Sequence, residues 1–379
     1  MSTIRIHLLR VEEIWVYIRN FPEWFAKLRR AAKRFNVSSL EIWKRAIVLR
    51  LRYGLGPDEA VDTGLINPDL SPDEDPGAIG RWRLTRHQYR FSPRPWECLS
   101  ADKAVFYAYC KALGLPVPKL YAVLDKDAGW TASGKLISER AEWERFFEND
   151  LPQEFIIKPA LGARGRGVNL YRRAGASFQD LSGQTFSAAS LYERLRTDSA
   201  YTRFVIQERL FNHPEIQRLT GTQSLQTVRV QTWITKDGEV ELYETHIKMI
   251  LGNNLTDNVD GGRSGNMRAE LDMDSGALAA PFVSSPDGIG FKILPVHPVT
   301  GINITGTVLP HWSSFRQLVD RAAHLFLPIR TIGWDIAITS DGPVLIEGNT
   351  WYDGCNHPHW SLVTRRHRAR FISRFTNEL

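Results

Sequence analysis

The sequence predicts an α+β chain, and three observations predict it. The first sixty residues place apolar side chains at helical spacing, short apolar runs separated by glycine turns follow from Phe155 onward, and two strand-like runs, 333–338 and 344–349, close the pattern. The 379 residues, 43% hydrophobic and 24% charged, leave room for two or three compact units and argue against disorder.

The opening helices have readable ends. Pro22 suits a first helical turn, and Phe25, Leu28, Ala32 and Phe35 follow at helical spacing. Ser38 with Glu41 reads as a capping box for a second helix, whose stripe is Leu40, Trp43, Ile47 and Leu51 before Gly54. The acidic, turn-forming stretch from Pro68 to Gly80 reads as a linker. Ser100 is a good N-cap for a lead-in helix that Gly114, Pro116 and Pro118 stop. That helix carries Lys103 in its first turn, where a lysine opposes the helix dipole and so does not serve helix stability.

Residues 155–159 read as a buried strand ending in Lys158-Pro159, followed by a loop with Gly162, Arg164, Gly165, Arg166 and Gly167. Glycines let successive N–H groups ring an anion, and the cations add charge. The lysine precedes the glycines and a strand follows, so the loop is neither a Walker loop nor a dinucleotide fingerprint.

Glu347 and Asn349 lie two apart and share one strand face. A three-residue turn with Gly342 left-handed would pair Thr339 with Pro343 and Asp335 with Glu347, whereas two- or four-residue turns would put Asp335 on the other face. Two carboxylates and an amide oxygen suit Mg²⁺, which takes few protein ligands and keeps phosphate oxygens. A solvated surface hairpin is the other reading. The strands 227–234 and 239–250 flank an Asp237-Gly238 turn. Two- and four-residue loops there both put Arg229, Glu244, His246 and Lys248 on one face, either a solvated sheet surface or the floor of a charged site.

With 205–210, an apolar run containing Gln207-Glu208, these motifs resemble the ATP-grasp superfamily, most closely its sugar-transfer-associated group and more distantly the ligases that add glutamate to protein tails. Gln226 to Val230 and Asp257 to Gly262 match that group's pattern. The resemblance runs from about residue 100 to 350. It implies two α+β subdomains with antiparallel sheets clamping ATP, preceded by an N-terminal helical region. The implied boundaries are 1–75 for the helical region, 76–120 for linker and lead-in helix, 121–212 for the glycine-loop subdomain, and 213–379 for the metal-strand subdomain.

It also implies roles. Lys103, Lys158, Lys248 and the loop with Gly162, Arg164, Gly165 and Gly167 would hold ATP phosphates. Gln207, Glu208, Arg209 and Leu210 would meet the adenine edge, although a plain buried strand fits the same letters. Arg229, Lys158 and Asn349 would act in catalysis, and Asp335, Glu347 and Asn349 would bind Mg²⁺. Asn258, Gly261, Gly262 and Arg263 would face the substrate, or form a flexible turn.

The expected reaction is ATP-dependent joining of a carboxylate to an amine through an acyl phosphate, in tailoring of a sugar-containing or peptide metabolite. A kinase acting on a sugar or polyol hydroxyl, with His246 or Asp353 as base, and a non-catalytic nucleotide-binding protein are the alternatives. Such chemistry rests on positioning and electrostatics, so it needs no Ser-His-Asp or Cys-His set.

The net charge of +6 is mild. Its densest cluster, Arg365 to Arg370, reads as a solvated helix face in preference to a nucleic-acid or anionic-lipid contact, and no nucleic-acid partner is expected. Three cysteines, Cys98, Cys110 and Cys355, suggest a reducing compartment. Charges interrupt every early apolar run, so no signal peptide is expected; the cytoplasm is, with weak contact to a membrane surface through the basic helices. Cys355, His357 and His359 lack the companions a zinc site needs.

Overall fold

The computed structural model describes residues 2–71, 77–162, 164–259, 262–354, 356 and 362–378. Gly261, Cys355, His357 and His359 lie outside the described residues. The chain opens with α1 Ser2–Phe35, α2 Ser39–Tyr53 and α3 Pro57–Asp62. Contrary to the expected start, α1 runs through Pro22, which lies on its exposed side, where water can serve the carbonyl that loses its donor. Ser38 Oγ accepts from the Glu41 amide at 3.2 Å, and Gly54 ends α2 at φ 74°. The predicted linker is not loose at its end. Ala78 and Ile79 are buried, and Asn356 Nδ2 donates to the Ile79 carbonyl at 2.9 Å.

Three further helices follow, α4 Arg81–Phe91, α5 Cys98–Ala101 and α6 Lys103–Ala112. Ser100 does not cap α6. It lies inside α5, and Asp102, with extended backbone, accepts from the Ala104 and Val105 amides instead.

The first sheet comprises β1 Leu120–Asp125, β2 Gly129–Thr131, β3 Leu136–Ile137, β4 Glu154–Pro159, β5 Asn169–Ala174, β6 Ser177–Asp180, β7 Thr185–Phe186 and β8 Arg203–Glu208. Its order is β3-β2-β1-β8-β4-β5-β6-β7. Helices α7 Arg140–Asn149 and α8 Ala188–Arg196 contribute Trp143, Phe147 and Leu191 to one apolar cluster with Phe155, Ile157 and Ile206. Past the short α9 Pro214–Thr220, the second sheet comprises β9 Thr227–Ile234, β10 Val240–Met249, β11 Met267–Glu270, β12 Phe282–Ser284, β13 Phe291–Ile293, β14 Thr331–Thr339 and β15 Gly342–Asn349. Its order is β13-β12-β11-β10-β9-β14-β15. Helices α10 Trp312–Leu325 and α11 Leu362–Asn377 complete the chain.

Strand alternation gives the second sheet two chemically distinct faces. Val228, Val230, Trp334 and Ile336 pack with Phe315 and Val319 of α10, while the residues between them, Arg229 and Asp335, face the other way.

Neither hairpin turn of this sheet has the predicted length. Between β14 and β15 the turn has two residues, because Thr339 pairs with Gly342, and Asp335 would then oppose Ile346. A β-bulge at Ile346 adds one residue and returns Glu347 opposite Asp335. The β9–β10 turn has three residues, Lys236 to Gly238, closed by the Thr235 amide on the Glu239 carbonyl at 2.9 Å, and a bulge at Tyr243 restores the pairing of His246 with Arg229. In both hairpins the expected partners meet, by a different turn and a compensating bulge.

Candidate active site

The two sheets and α6 enclose a cleft of about 1050 Å³. From the first sheet, β4 delivers Lys158, which is 6% exposed, and its Nζ donates to the Tyr107 hydroxyl at 2.8 Å. Tyr107 stands on α6 and donates in turn toward Gln207 Oε1 at 2.9 Å and the carbonyl of the bulged Ile346 at 3.1 Å. The bulge therefore both aligns the carboxylates and offers an acceptor to the residue that holds Lys158. Burial, and then the charge of Lys103, draws the Lys158 ammonium down to about 7, against the pull of Glu347 and Asp335.

Lys103 occupies the first position of α6, its Nζ 3.1 Å from the Gly162 carbonyl and 3.5 Å from Glu347 Oε2. It thus spans the glycine loop and the predicted metal strand. In that loop Arg164, Gly165 and Gly167 all take positive φ, 61°, 68° and 73°. A Cβ at Gly165 would lie 2.6 Å from Thr256 Oγ1, so the loop reaches across to the far side of the cleft and only glycine fits there. Gly162, Arg164 and Gly165 line the cleft, whereas Gly167 packs against Pro159 and Tyr201.

At the far end of β8, Glu208 Oε1 accepts from the Lys119 amide at 2.8 Å, and Arg209 Nη1 bonds Glu154 at 2.5 Å. With Gln207 and Leu210 they form one wall of the cleft.

The second sheet supplies a dense charge cluster. Arg229 grips Asp335 with two bonds, Nε to Oδ1 at 2.7 Å and Nη2 to Oδ2 at 2.8 Å, and Lys248 Nζ lies 3.0 Å from Asp335 Oδ1. Burial alone would raise the Asp335 carboxyl; Arg229 and then Lys248 hold it well below the usual carboxylate range. Lys248 also lies 3.3 Å from Asp257, whose Oδ2 accepts from both the amide and the hydroxyl of Thr227. Burial raises the Asp257 carboxyl despite Lys248. His246 lines the cleft beside Arg229, its Nδ1 2.8 Å from Glu244 Oε1. Burial lowers the His246 imidazole, against the opposing charge of Glu244.

Asp335 and Glu347 face each other across the ladder, and Asn349 Nδ2 donates to Glu347 Oε1 at 3.3 Å. Among the described residues no three acidic, histidine or cysteine side chains cluster as a metal site; beside Asp335 and Glu347 stands the amide of Asn349. Adjacent hard oxygens of like charge fit a small divalent cation. Asn258, Gly262 and Arg263 line the cleft on the side of β11 and β12, where a Cβ on Gly262 would strike Ser284.

The chain matches the description "Sugar-transfer associated ATP-grasp" over residues 83–358. It belongs to that ATP-grasp family. Its two antiparallel sheets, preceded by helices, are the ATP-grasp fold. No curated protein sequence matches the chain. Among solved structures, this ATP-grasp chain is similar to the ADP complex of purK, N5-carboxyaminoimidazole ribonucleotide synthetase, at 11% identity and TM-score 0.40, over 74% of this chain and 52% of that one. It is similar also to D-alanine-D-alanine ligase from Helicobacter pylori, at 11% identity and TM-score 0.39, over 74% of this chain and 59% of that one. A third is the L-amino acid ligase from Bacillus licheniformis, at 10% identity and TM-score 0.39, over 78% and 50% respectively. The chain thus spans little more than half the length of these structures.

The sequence reading missed Tyr107 and Asp257 as site residues. Tyr107 gives no signal, since a helical tyrosine reads as core; Asp257 stood within a recognised motif but its partner Lys248 is distant in sequence.

Proposed function

We propose that the chain is an ATP- and Mg²⁺-dependent ligase that joins a carboxylate to an amine, releasing ADP and phosphate. The observation that carries this reading is the convergence of Lys103, Lys158, Arg229 and Lys248 on the carboxylates of Asp335 and Glu347 within one cleft. Among the described residues eleven lysines and arginines line the cleft against six aspartates and glutamates, an excess of positive charge suited to a polyphosphate.

In this reading Lys103, Lys158, Lys248 and the glycine loop at Gly162, Arg164 and Gly165 hold the phosphates, with Gly167 shaping the loop from behind. Gln207 to Leu210 meet the adenine, and Asn258, Gly262 and Arg263 meet the acceptor, with Gly261 as their neighbour in sequence. Asp335, Glu347 and Asn349 would hold Mg²⁺, which when bound would neutralise charge on the β and γ oxygens.

A substrate carboxylate oxygen attacks the γ-phosphorus while the bond to ADP breaks, and the electron pair leaves with ADP. Arg229 steadies the transferring group; its grip on Asp335 uses two of its five N–H donors. The amine nitrogen then attacks the acyl carbon, phosphate departs, and one proton leaves the amine. His246, kept neutral by burial and oriented by Glu244, takes that proton. The same pair suits deprotonation of a hydroxyl, which keeps a kinase as the second reading. The tailoring of a sugar-containing or peptide metabolite is part of the proposal.

The test is mass spectrometry of the protein with ATP, Mg²⁺ and pooled amino acids, sugar acids and amino sugars. A product equal to two pool members minus water, formed with ADP and absent with Glu347→Gln, supports the ligase. A product heavier by one phosphoryl group instead makes the protein a kinase.

A further inference from the structure

The net positive charge of this protein comes from its first two helices. Residues 1–53 hold twelve lysines and arginines against four acidic residues, a net of +8, whereas the other 326 hold 36 against 38, a net of −2. On the same helices lies an exposed apolar stripe that the fold does not use. Val11, Ile14, Trp15, Ile18, Phe21 and Phe25 are 42% to 70% exposed and recur at spacings of three and four along α1. They lie roughly a third of a turn from the face that packs through Leu9, Trp24, Leu28 and Ala31. In α2, Leu40, Ile47 and Leu51 are 53% to 79% exposed, and half-buried Trp43 joins the two stripes, its ring centroid 6.1 Å from Phe21 and 6.3 Å from Phe25.

Cations border this patch. Arg10, Arg19, Arg29, Lys33 and Lys44 are exposed, with the guanidinium of Arg19 4.7 Å from the Trp15 ring centre. Apolar and aromatic residues on one side with lysine and arginine at the margins form the pattern of a helix lying in a membrane interface. No helix among the described residues is long and apolar enough to cross a membrane.

We propose that α1 and α2 dock this protein flat on an anionic lipid surface, the apolar stripe entering the headgroup region and the bordering cations meeting lipid phosphates. Charge complementarity selects that occupant: a second copy would bring the same bordering cations, Arg10, Arg19, Arg29, Lys33 and Lys44, against those of the first. Asp62, Thr63 and Arg81 of the same helical layer line one end of the cleft, so docking holds the site beside the membrane.

The test is sedimentation of the full chain with vesicles of phosphatidylcholine alone or with about one-third phosphatidylglycerol. The expected result is binding to the anionic vesicles only, weakened by salt. Ile14→Glu with Ile18→Glu, both exposed and outside the cleft, should reduce binding at least about tenfold with the circular dichroism unchanged. Equal binding by that variant, or none by the wild type, overturns the proposal. So does a wild-type dimer that the variant converts to monomer without any vesicle binding, which would make the stripe an interface between copies.

Discussion

Lys158 carries an ammonium taken almost entirely out of water. Its ammonium is buried against Tyr107 beside a second lysine, and its pKa falls to about 7. Because the unfolded value is roughly 10.4, the folded protein binds fewer protons between those limits, and folding stability gains from this group as pH rises from 7. Nucleotide binding has the opposite sign. Phosphates beside Lys158 restore its charge, so binding at pH 8 should take up a proton and weaken as pH rises further. Calorimetry in buffers of different ionisation enthalpy measures that uptake; none at pH 8 would mean that Lys158 does not meet the phosphates. Single residues such as Lys158 and Glu347 were legible in the sequence because Lys158 stands just before a glycine-rich loop and Glu347 two positions from Asn349 on one strand face. Tyr107 was not, since its role depends on a lysine 51 positions away.

At the scale of elements, alternation predicted which residues share a face, but turn length did not predict how they get there. A bulge adds one residue to one strand, and neither Tyr243 nor Ile346 differs in type from an ordinary strand residue. Each bulged residue is also used. The Ile346 carbonyl accepts from Tyr107, and the Tyr243 hydroxyl accepts from Arg368 at 2.6 Å. Arg368 is fully buried and pairs with Glu244, so the basic run of α11 is not a uniformly solvated face as expected. The glycine loop permits a direct prediction. In Gly165→Ala the new methyl meets Thr256 and the backbone keeps an unfavourable φ, so the loop cannot close fully. The KM for ATP should rise about tenfold with a smaller change in kcat. Unchanged kinetics would separate this loop from the nucleotide.

The whole molecule sets two antiparallel sheets around one cleft, and a single apolar cluster joins them through α6, with Phe106 and Tyr107 packed among residues of β8, β9 and β14. Class and family were legible because the motifs are local, whereas short strands such as β1 to β3 and β12 to β13 carried no motif. The pairing of distant strands was not legible, and neither was the packing of residues 77–80 under Asn356. The central claim is that a carboxylate takes the γ-phosphoryl group within this cleft. Substrates labelled with oxygen-18 in their carboxylates, turned over with ATP and Mg²⁺, test it most directly. One labelled oxygen should appear in the released phosphate for each amide formed, because the acyl phosphate gives up the oxygen that joined carbon to phosphorus. Amide formed with unlabelled phosphate, or a phosphorylated product retaining both labelled oxygens on its carboxylate, would contradict the account.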